Sequence, residues 1–309
     1  MKDKISLPLL AAGAGNVIWG FGYLFIRIGQ QSASPEVLLA IRFVVAFFLM
    51  NLLVLFGFQK VSFRGKPWKS ILILALSELG CFYFESYGIY YTNASFAGTL
   101  MAIVPVVSIG FSIVFLREYP TKRQAFFCLF PVAGVAILAI NGNAEGYVQP
   151  IGVLLLICFC FASATYRTFN RKAAEDFTPF ERAYVVIGAC MVSFVLSSMR
   201  ETGGDISCYL EPMKEPSFVA VILVMSVFSS VAANLLVNYA AGKIGVVEMS
   251  IVGTICTICS MFGGIIFLGE PMNLTAFIGA MMILIGIHQV TKPEGSVIIE
   301  EKYLMEDEE

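Results

Sequence analysis

The chain has 309 residues, of which 58% are hydrophobic and only 14% are charged. Because a soluble domain carries about 25% charged residues, this composition excludes an ordinary soluble protein and indicates a membrane protein. The formal net charge is −2, and the sequence has no basic stripe of the kind that binds nucleic acid.

Ten apolar segments follow one another along the chain, each close to the roughly 20 residues that cross a bilayer as a helix. Proline, glycine and asparagine mark most of the gaps between them, as at Ser34-Pro35 and Thr178-Pro179. The sequence therefore predicts an all-α polytopic membrane protein with ten transmembrane helices, at residues 7–28, 36–58, 68–91, 94–116, 122–140, 150–169, 181–199, 216–241, 245–268 and 273–291.

Basic residues are distributed unevenly between the loops on the two sides of the membrane. If the N-terminus is cytoplasmic, sixteen of the twenty Lys and Arg residues fall on the cytoplasmic side, Arg167 among them. Because Lys and Arg are retained on that side, the sequence predicts an inner or plasma membrane protein with both termini in the cytoplasm. We expect residues 293–309, which are rich in acids, to form a disordered cytoplasmic tail.

The two halves of the chain resemble each other. Residues 95–140 align with residues 246–287 through corners at Glu118 and Glu270. Since each half contains five helices, an odd number, the second half must enter the membrane from the opposite side. Accordingly, the basic residues that flank Glu118 have no counterparts beside Glu270.

This alignment predicts two inverted five-helix repeats, residues 1–141 and 142–292. Inverted repeats are typical of secondary transporters, in which the substrate site lies between the repeats near the middle of the membrane. That link to function rests on an analogy between folds.

Four short motifs also occur in an order and spacing that match a known family across nearly the whole chain, to about residue 291. They are Asn16-Val-Ile-Trp19-Gly20, the segment from Ser34-Pro35 to Arg42-Phe43, Pro105, and Gly269-Glu270-Pro271. On these motifs the chain resembles the drug/metabolite transporter superfamily, specifically EamA-type transporters with two EamA domains.

The resemblance implies a central cavity between the repeats and movement of small metabolites by alternating access. Amino acids, related compounds or drug-like solutes are the expected substrates, efflux is the favoured direction, and no cofactor is implied. The expected partners are thus a small-molecule substrate and the lipid bilayer, with no nucleic acid. The sequence leaves proton coupling and the oligomeric state open.

The second repeat departs from the family at one position. Pro105 lies thirteen residues before Glu118, but Thr257 occupies the matching place before Glu270. Because proline interrupts helix hydrogen bonding, we predict a hinge or cavity role for Pro105 and no matching kink in the second repeat.

Two acidic residues in the third span are the first candidates for function, since charges at membrane depth are costly. Glu78 and Glu85 are seven residues apart, so they share one helix face about 10 Å apart along the axis. A carboxyl group in a low dielectric favours its neutral form, and these groups could accept a proton or attract a cationic substrate. The alternative is a structural hydrogen bond or ion pair, or exposure to water near the helix end.

Asn234 and Asn238 share a face of the eighth span, the counterpart of the third. We predict that they bind substrate opposite the two glutamates, and interhelical packing through amide hydrogen bonds is the alternative. Carboxylates opposite amides would suit a zwitterion or an amine.

Five further residues are candidates with an open alternative. Asn16, Trp19 and Tyr166 could line the cavity, although the aromatic residues could instead face lipid. Arg42 could bind a substrate carboxylate, bond helix-end carbonyls or extend outward to the membrane surface. Glu248 could form a gate or an interfacial charge.

The sequence contains few of the motifs that are typical of enzymes. It contains one His and no H-E-x-x-H, G-x-S-x-G or phosphate-binding loop motif. Cys256 and Cys259 have the spacing C-x-x-C but lie in an apolar span without the further ligands that zinc requires, so we interpret them as packing residues. We therefore expect neither catalytic residues nor a metal, and a transporter rather than an enzyme. A membrane receptor or scaffold, or an intramembrane enzyme, is the alternative.

Overall fold

The computed structural model describes residues 7–92, 96–97, 100–117, 119, 121–127, 129–130, 133, 148–268, 278, 281–282 and 285. Within these ranges the protein is helical and contains no strand. The main helices are α1 (Leu7–Gly29), α2 (Pro35–Leu55), α3 (Trp68–Tyr90), α4 (Val104–Leu116), α5 (Lys122–Phe127), α6 (Pro150–Ala173), α7 (Pro179–Thr202), α8 (Pro216–Ala241), α9a (Val246–Val252) and α9b (Ile255–Leu268).

Six of these helices, α1, α2, α3, α6, α7 and α8, are long and apolar enough to cross a bilayer. They match the first, second, third, sixth, seventh and eighth predicted spans. The fourth span is present as a 3₁₀ turn, Met101–Ile103, that leads into α4. The fifth begins with α5, and most of the tenth lies outside the described residues. The all-α polytopic fold is therefore confirmed, whereas the count of ten helices is confirmed only in part.

Two helices begin with the local signals that the sequence predicts. At α2, Ser34 caps the helix by accepting a hydrogen bond from the Val37 N–H at 3.4 Å, and Pro35 follows. At α7, Thr178 and Glu181 form a reciprocal capping box. Proline suits the first helical position because its missing N–H has no partner there in any case.

The most extensive helix contacts join one half of the chain to the other: α3 packs on α6, α2 on α7, and α1 on α9b. Glycine allows close approach in this packing. A Cβ atom added to Gly20 would lie 2.5 Å from Cys259 Cβ and 2.6 Å from the Cys256 carbonyl oxygen. Cys256 and Cys259 therefore serve as small residues in a tight contact between α1 and α9b.

The middle of α8 is wider than an α-helix, since residues Met225–Ala233 form a π-helical segment. Such segments are rare and occur often at functional sites. Here the segment carries Ser226, Ser229 and Ser230 against α2, where the Ser226 hydroxyl donates to the Arg42 carbonyl oxygen at 2.9 Å.

The ninth predicted span is broken, so the prediction of an unkinked second repeat is wrong. Helix α9a ends at Val252, Gly253 and Thr254 form a turn, and α9b begins at Ile255. The turn begins at a glycine, which is a poor helix former, and contains no proline.

The two repeats are interrupted at equivalent positions. The corner alignment shifts residue numbers by 152 (270 − 118), and Gly253 thus corresponds to Met101, where the 3₁₀ turn of the first repeat begins. Pro105 is the second residue of α4, directly after that turn.

Candidate functional site

A cavity lies between the two halves, with walls formed by α1, α2, α3, α4, α6, α8, α9a and α9b. Its water-accessible volume is about 70 Å³, which is enough space for several water molecules. Its charged and polar lining includes Asn16, Trp19, Tyr23, Arg42, Glu78, Glu85, Ser163, Tyr166, Arg167, Ser229, Ser250 and Thr254.

The cavity lies near the middle of the spanning helices. Trp19 is the thirteenth of the 23 residues of α1, Glu78 is the eleventh of the 23 residues of α3, and Ser229 is the fourteenth of the 26 residues of α8. A polar cavity at this depth is the expected position of a transport site between repeats.

Both predicted glutamates line the cavity. Glu78 is buried and its side chain faces Asn234, while Glu85 is partly buried and faces the Tyr23 hydroxyl. Within the described residues, no guanidinium nitrogen lies within 4.0 Å of either carboxyl group. Neither glutamate is therefore paired closely with an arginine, and both remain able to bind a proton or a cation.

Arg42 is buried in the cavity wall and is firmly anchored. Its Nε donates to Ser230 Oγ at 2.8 Å, and its Nη2 donates to Ser229 Oγ at 3.0 Å. The guanidinium also lies 5.2 Å from the ring centre of Phe43 and 4.9 Å from that of Phe82. Among the described residues, these contacts hold the cation in place without a carboxylate within 4.0 Å and without a hydrogen bond to a helix-end carbonyl.

The three other predicted lining residues also reach the cavity. Trp19 Nε1 donates to the Ser229 carbonyl oxygen at 3.1 Å, and its ring packs edge-on against Tyr166 with the centres 6.5 Å apart. Asn16 donates to the Ala12 carbonyl oxygen at 2.8 Å. Trp19 and Tyr166 therefore face inward rather than toward lipid.

Asn234 and Asn238 do not line the cavity as the structure has it. The Asn238 Oδ1 accepts from Asn170 Nδ2 at 2.8 Å and from the Tyr166 hydroxyl at 3.2 Å, and its Nδ2 donates to the Pro179 carbonyl oxygen at 3.2 Å. This arrangement is the interhelical packing that was the alternative interpretation. Substrate binding by the two amides remains a prediction.

Two more predicted residues lie away from these contacts. Glu248 is exposed in the first turn of α9a, where a gate or an interfacial charge is still an untested prediction. The backbone position of Pro105, after the 3₁₀ turn, is compatible with the hinge role predicted for it.

Sequence reasoning missed Arg167. Hydropathy ends the sixth span at residue 169 and assigns Arg167 to the cytoplasmic charge, but α6 continues to Ala173 and Arg167 lines the cavity. Its Nη1 donates to the Met249 carbonyl oxygen at 3.1 Å. The available signal was its neighbour Tyr166, a predicted lining residue. Arg167 was counted on the cytoplasmic side and Arg42 on the other. Without these two cavity arginines, fifteen (16 − 1) basic residues remain on the cytoplasmic side and three (4 − 1) on the other, so the predicted orientation is unchanged.

A helical membrane fold with a charged cavity between two similar halves defines a class, that of the multi-pass membrane transporters. The EamA-like transporter family model matches residues 6–140 and 150–291. The chain belongs to this family and contains two EamA domains.

Similar proteins agree with this assignment. The chain is 32% identical over 291 residues to the "Uncharacterized transporter YcxC" of Bacillus subtilis (strain 168), covering 93% of each chain. It is 23% identical over 296 residues to an "Uncharacterized transporter" of Archaeoglobus fulgidus, covering 94% of this chain and 99% of that one. A solved structure titled "Crystal structure of protein" has a TM-score of 0.71 and 17% identity, covers 92% of this chain and 96% of that chain, and shares the fold.

Proposed function

We propose that this protein is a secondary transporter that moves small metabolites through the central cavity by alternating access, with export as the favoured direction. The observation that carries the proposal is the cavity itself. It lies at mid-helix depth, both halves contribute to its wall, and Glu78, Glu85, Arg42 and Arg167 line it.

The chemistry of the lining indicates the class of solute. The lining contains carboxyl and guanidinium groups together with apolar side chains such as Ile26, Phe82 and Phe159. Such a wall suits a small molecule with opposite charges and an apolar part, because each charge then meets a partner while the remainder is removed from water. Amino acids and related compounds fit this description.

Polar contacts join the two halves at both ends of the molecule. At the end predicted to be cytoplasmic, Glu181 of α7 binds Lys66 Nζ at 2.6 Å and the Ser62 N–H at 2.9 Å. At the other end, the Ser32 hydroxyl donates to Glu215 at 2.7 Å and the Ser34 hydroxyl donates to Glu201 at 3.0 Å.

These are the contacts that must open in turn if the cavity is exposed first on one side and then on the other. The interruptions at Met101–Ile103 and at Gly253–Thr254 supply places where one helix segment can move relative to the next. Loop charge supports an orientation with both termini in the cytoplasm.

Proton coupling is a second element of the proposal, supported by the position of Glu78 and Glu85. A carboxyl group that binds either a proton or the solute links the two fluxes. If coupling operates, collapsing the proton gradient abolishes accumulation of the solute. A facilitator would equilibrate the solute without accumulating it.

The test begins with a metabolite screen that compares the media of cells with and without the protein. Solutes enriched outside the expressing cells are then tested in proteoliposomes containing the purified protein. Flux without chemical change supports a transporter, whereas conversion of the solute would support an intramembrane enzyme. Binding without flux would support a receptor or scaffold.

A further inference from the structure

Arg167 differs from the other cavity arginine in how its hydrogen-bonding groups are used. Arg42 is bound by two serine hydroxyls and lies against two aromatic rings. Among the described residues, Arg167 makes one hydrogen bond, to the Met249 carbonyl oxygen, and its buried Nε has no partner. Since an unsatisfied buried donor is costly, this guanidinium has capacity for a ligand.

The interrupted helix lies directly against this guanidinium. A Cβ atom added to Gly253 would fall 2.6 Å from Arg167 Nη2, 2.8 Å from Nη1 and 3.0 Å from Cζ. Glycine at this turn therefore makes room for the guanidinium at the beginning of α9b, and both Gly253 and Arg167 line the cavity.

Two further features point to an anion at the same place. The N-terminus of a helix carries a partial positive charge, and in transporters the N-termini of interrupted helices face anionic substrate groups. Ser250, one turn before the break, is 1% exposed, lines the cavity, and has an Oγ without a hydrogen-bond partner in the described part of the chain.

We propose that Arg167, Ser250 and the N-terminus of α9b at Gly253 form a subsite that binds the carboxylate of the transported solute. The planar guanidinium fork matches a carboxylate. A single negative charge suits the site, because Glu78 of the adjacent helix α3 lies within electrostatic range of Arg167 and already offsets part of its positive charge. Glu78 would then bind the ammonium group of the same solute, in agreement with the amino acids proposed above. The proposal rests on the proposed transport function and adds to it the residues that bind the carboxylate of the solute.

The direct test is chemical labelling of arginine in the full-length protein in lipid nanodiscs. Phenylglyoxal modifies accessible guanidinium groups, and mass spectrometry measures the modification at each arginine. The probes are a mixture of the standard amino acids, the corresponding amino acid amides, and inorganic phosphate. Arg171 lies one turn further along α6 and outside the cavity lining, so its labelling in the same sample is the internal control.

The probes themselves consume some phenylglyoxal through their amino and guanidinium groups, so labelling of Arg167 is measured relative to Arg171 in the same sample. We expect the amino acids to lower this ratio by about fivefold or more, while the amides and phosphate leave it unchanged. Equal protection by the amides, protection by phosphate, or no protection by any probe would overturn the proposal. This readout does not depend on flux, so it can fail while transport is observed, and it can succeed in a protein that binds without transporting.

Variants test the same subsite in proteoliposomes. Arg167→Gln is expected to weaken uptake of the amino acids by about tenfold or more relative to the amides, the loss that one charged hydrogen bond predicts. Gly253→Ala should displace the guanidinium and produce a similar change, whereas Arg171→Gln should behave as the wild type. If Arg167→Gln folds and leaves the preference for the carboxylate unchanged, the assignment is wrong.

Discussion

At the scale of single residues, the cavity contains both signs of charge without a close ion pair between them. Glu78 and Glu85 come from α3, Arg42 from α2 and Arg167 from α6. Burying a charge without a close partner is costly, and a membrane protein meets that cost where the charge has a use. The absence of a close ion pair among these four side chains is therefore the observation that most supports the proposed binding of a solute here.

The two carboxyl groups can be tested by removing their charge without changing their shape. We expect Glu78→Gln and Glu85→Gln each to reduce solute flux by about tenfold or more, because a charged hydrogen bond to the solute is lost. At least one of them should also remove the pH dependence of uptake. Proteoliposome uptake measured over a range of external pH checks both expectations.

Glu181→Gln is a poor control for this experiment, because Glu181 joins the two halves through Lys66. Glu211 is a better one, since its ion pair with Lys214 is exposed and remote from the cavity. Glu211→Gln should leave flux unchanged. If both cavity variants keep wild-type uptake and pH dependence, the role assigned to the two carboxyl groups is wrong.

At the scale of helices, a tightly packed helix pair lies next to a helix that is interrupted by a turn. Helix α1 packs tightly on α9b at Gly20, while a turn at Gly253–Thr254 separates α9b from α9a. The first contact needs a residue without a side chain to bring two backbones together, and the second needs one to accommodate Arg167. Glycine thus has a different physical role at each position.

Gly20→Ala should destabilise the protein by about 1–3 kcal/mol, the range for overpacking a filled interior. The added Cβ has no room between the two helices. Gly13→Ala in the same helix is the matched control, because its nearest neighbour would be Ile255 Cδ1 at 4.0 Å. That change should be neutral or stabilising, since alanine favours a helix over glycine. Thermal unfolding in detergent measures both, and equal midpoints for the two variants would contradict the packing described.

The helices themselves were largely predictable, and the breaks within them were not. Hydropathy located α1, α2, α3, α6, α7 and α8 because each is an apolar run of spanning length. It could not detect the turn at Gly253–Thr254, since residues 245–268 form one continuous apolar run. The π-helical segment around Ser229 likewise has no signature in composition, since the whole of α8 is one apolar run.

The site was predictable where a charge stood inside an apolar run, as with Glu78 and Glu85. Arg167 was missed for the opposite reason, since it lies near the end of the run and resembles a loop charge. Asn238 satisfied the same spacing rule as the glutamates, but tertiary hydrogen bonds to Tyr166 and Asn170 occupy its amide. Spacing identifies a shared helix face and does not say whether that face meets a cavity or another helix.

At the scale of the whole molecule, the two halves form one unit rather than two separate bundles. Each long helix of the first repeat has its main contacts with a helix of the second, as α3 does with α6 and α2 with α7. The cavity exists only where the halves meet. A motion of one half against the other would therefore change access to the cavity, which is the physical basis of the alternating access that we propose.

Orientation in the membrane can be checked with a native cysteine. Cys208 is exposed in the connection between α7 and α8, which we predict to lie outside the cytoplasm. A membrane-impermeant maleimide added to intact cells should label the protein, and Cys208→Ser should remove that labelling. Labelling of Cys208 only after the cells are permeabilised would reverse the predicted orientation.

The central claim, that solute crosses through the cavity between the repeats, is tested most directly by counterflow in proteoliposomes. Proteoliposomes loaded with a solute that the metabolite screen identifies should take up the labelled solute from outside faster than proteoliposomes without internal solute do. Ser163 lines the cavity and Thr165 of the same helix does not. We predict that Ser163→Trp abolishes counterflow by filling the cavity and that Thr165→Trp retains it. Absence of counterflow in the wild-type protein, or full counterflow in a folded Ser163→Trp variant, would contradict the claim.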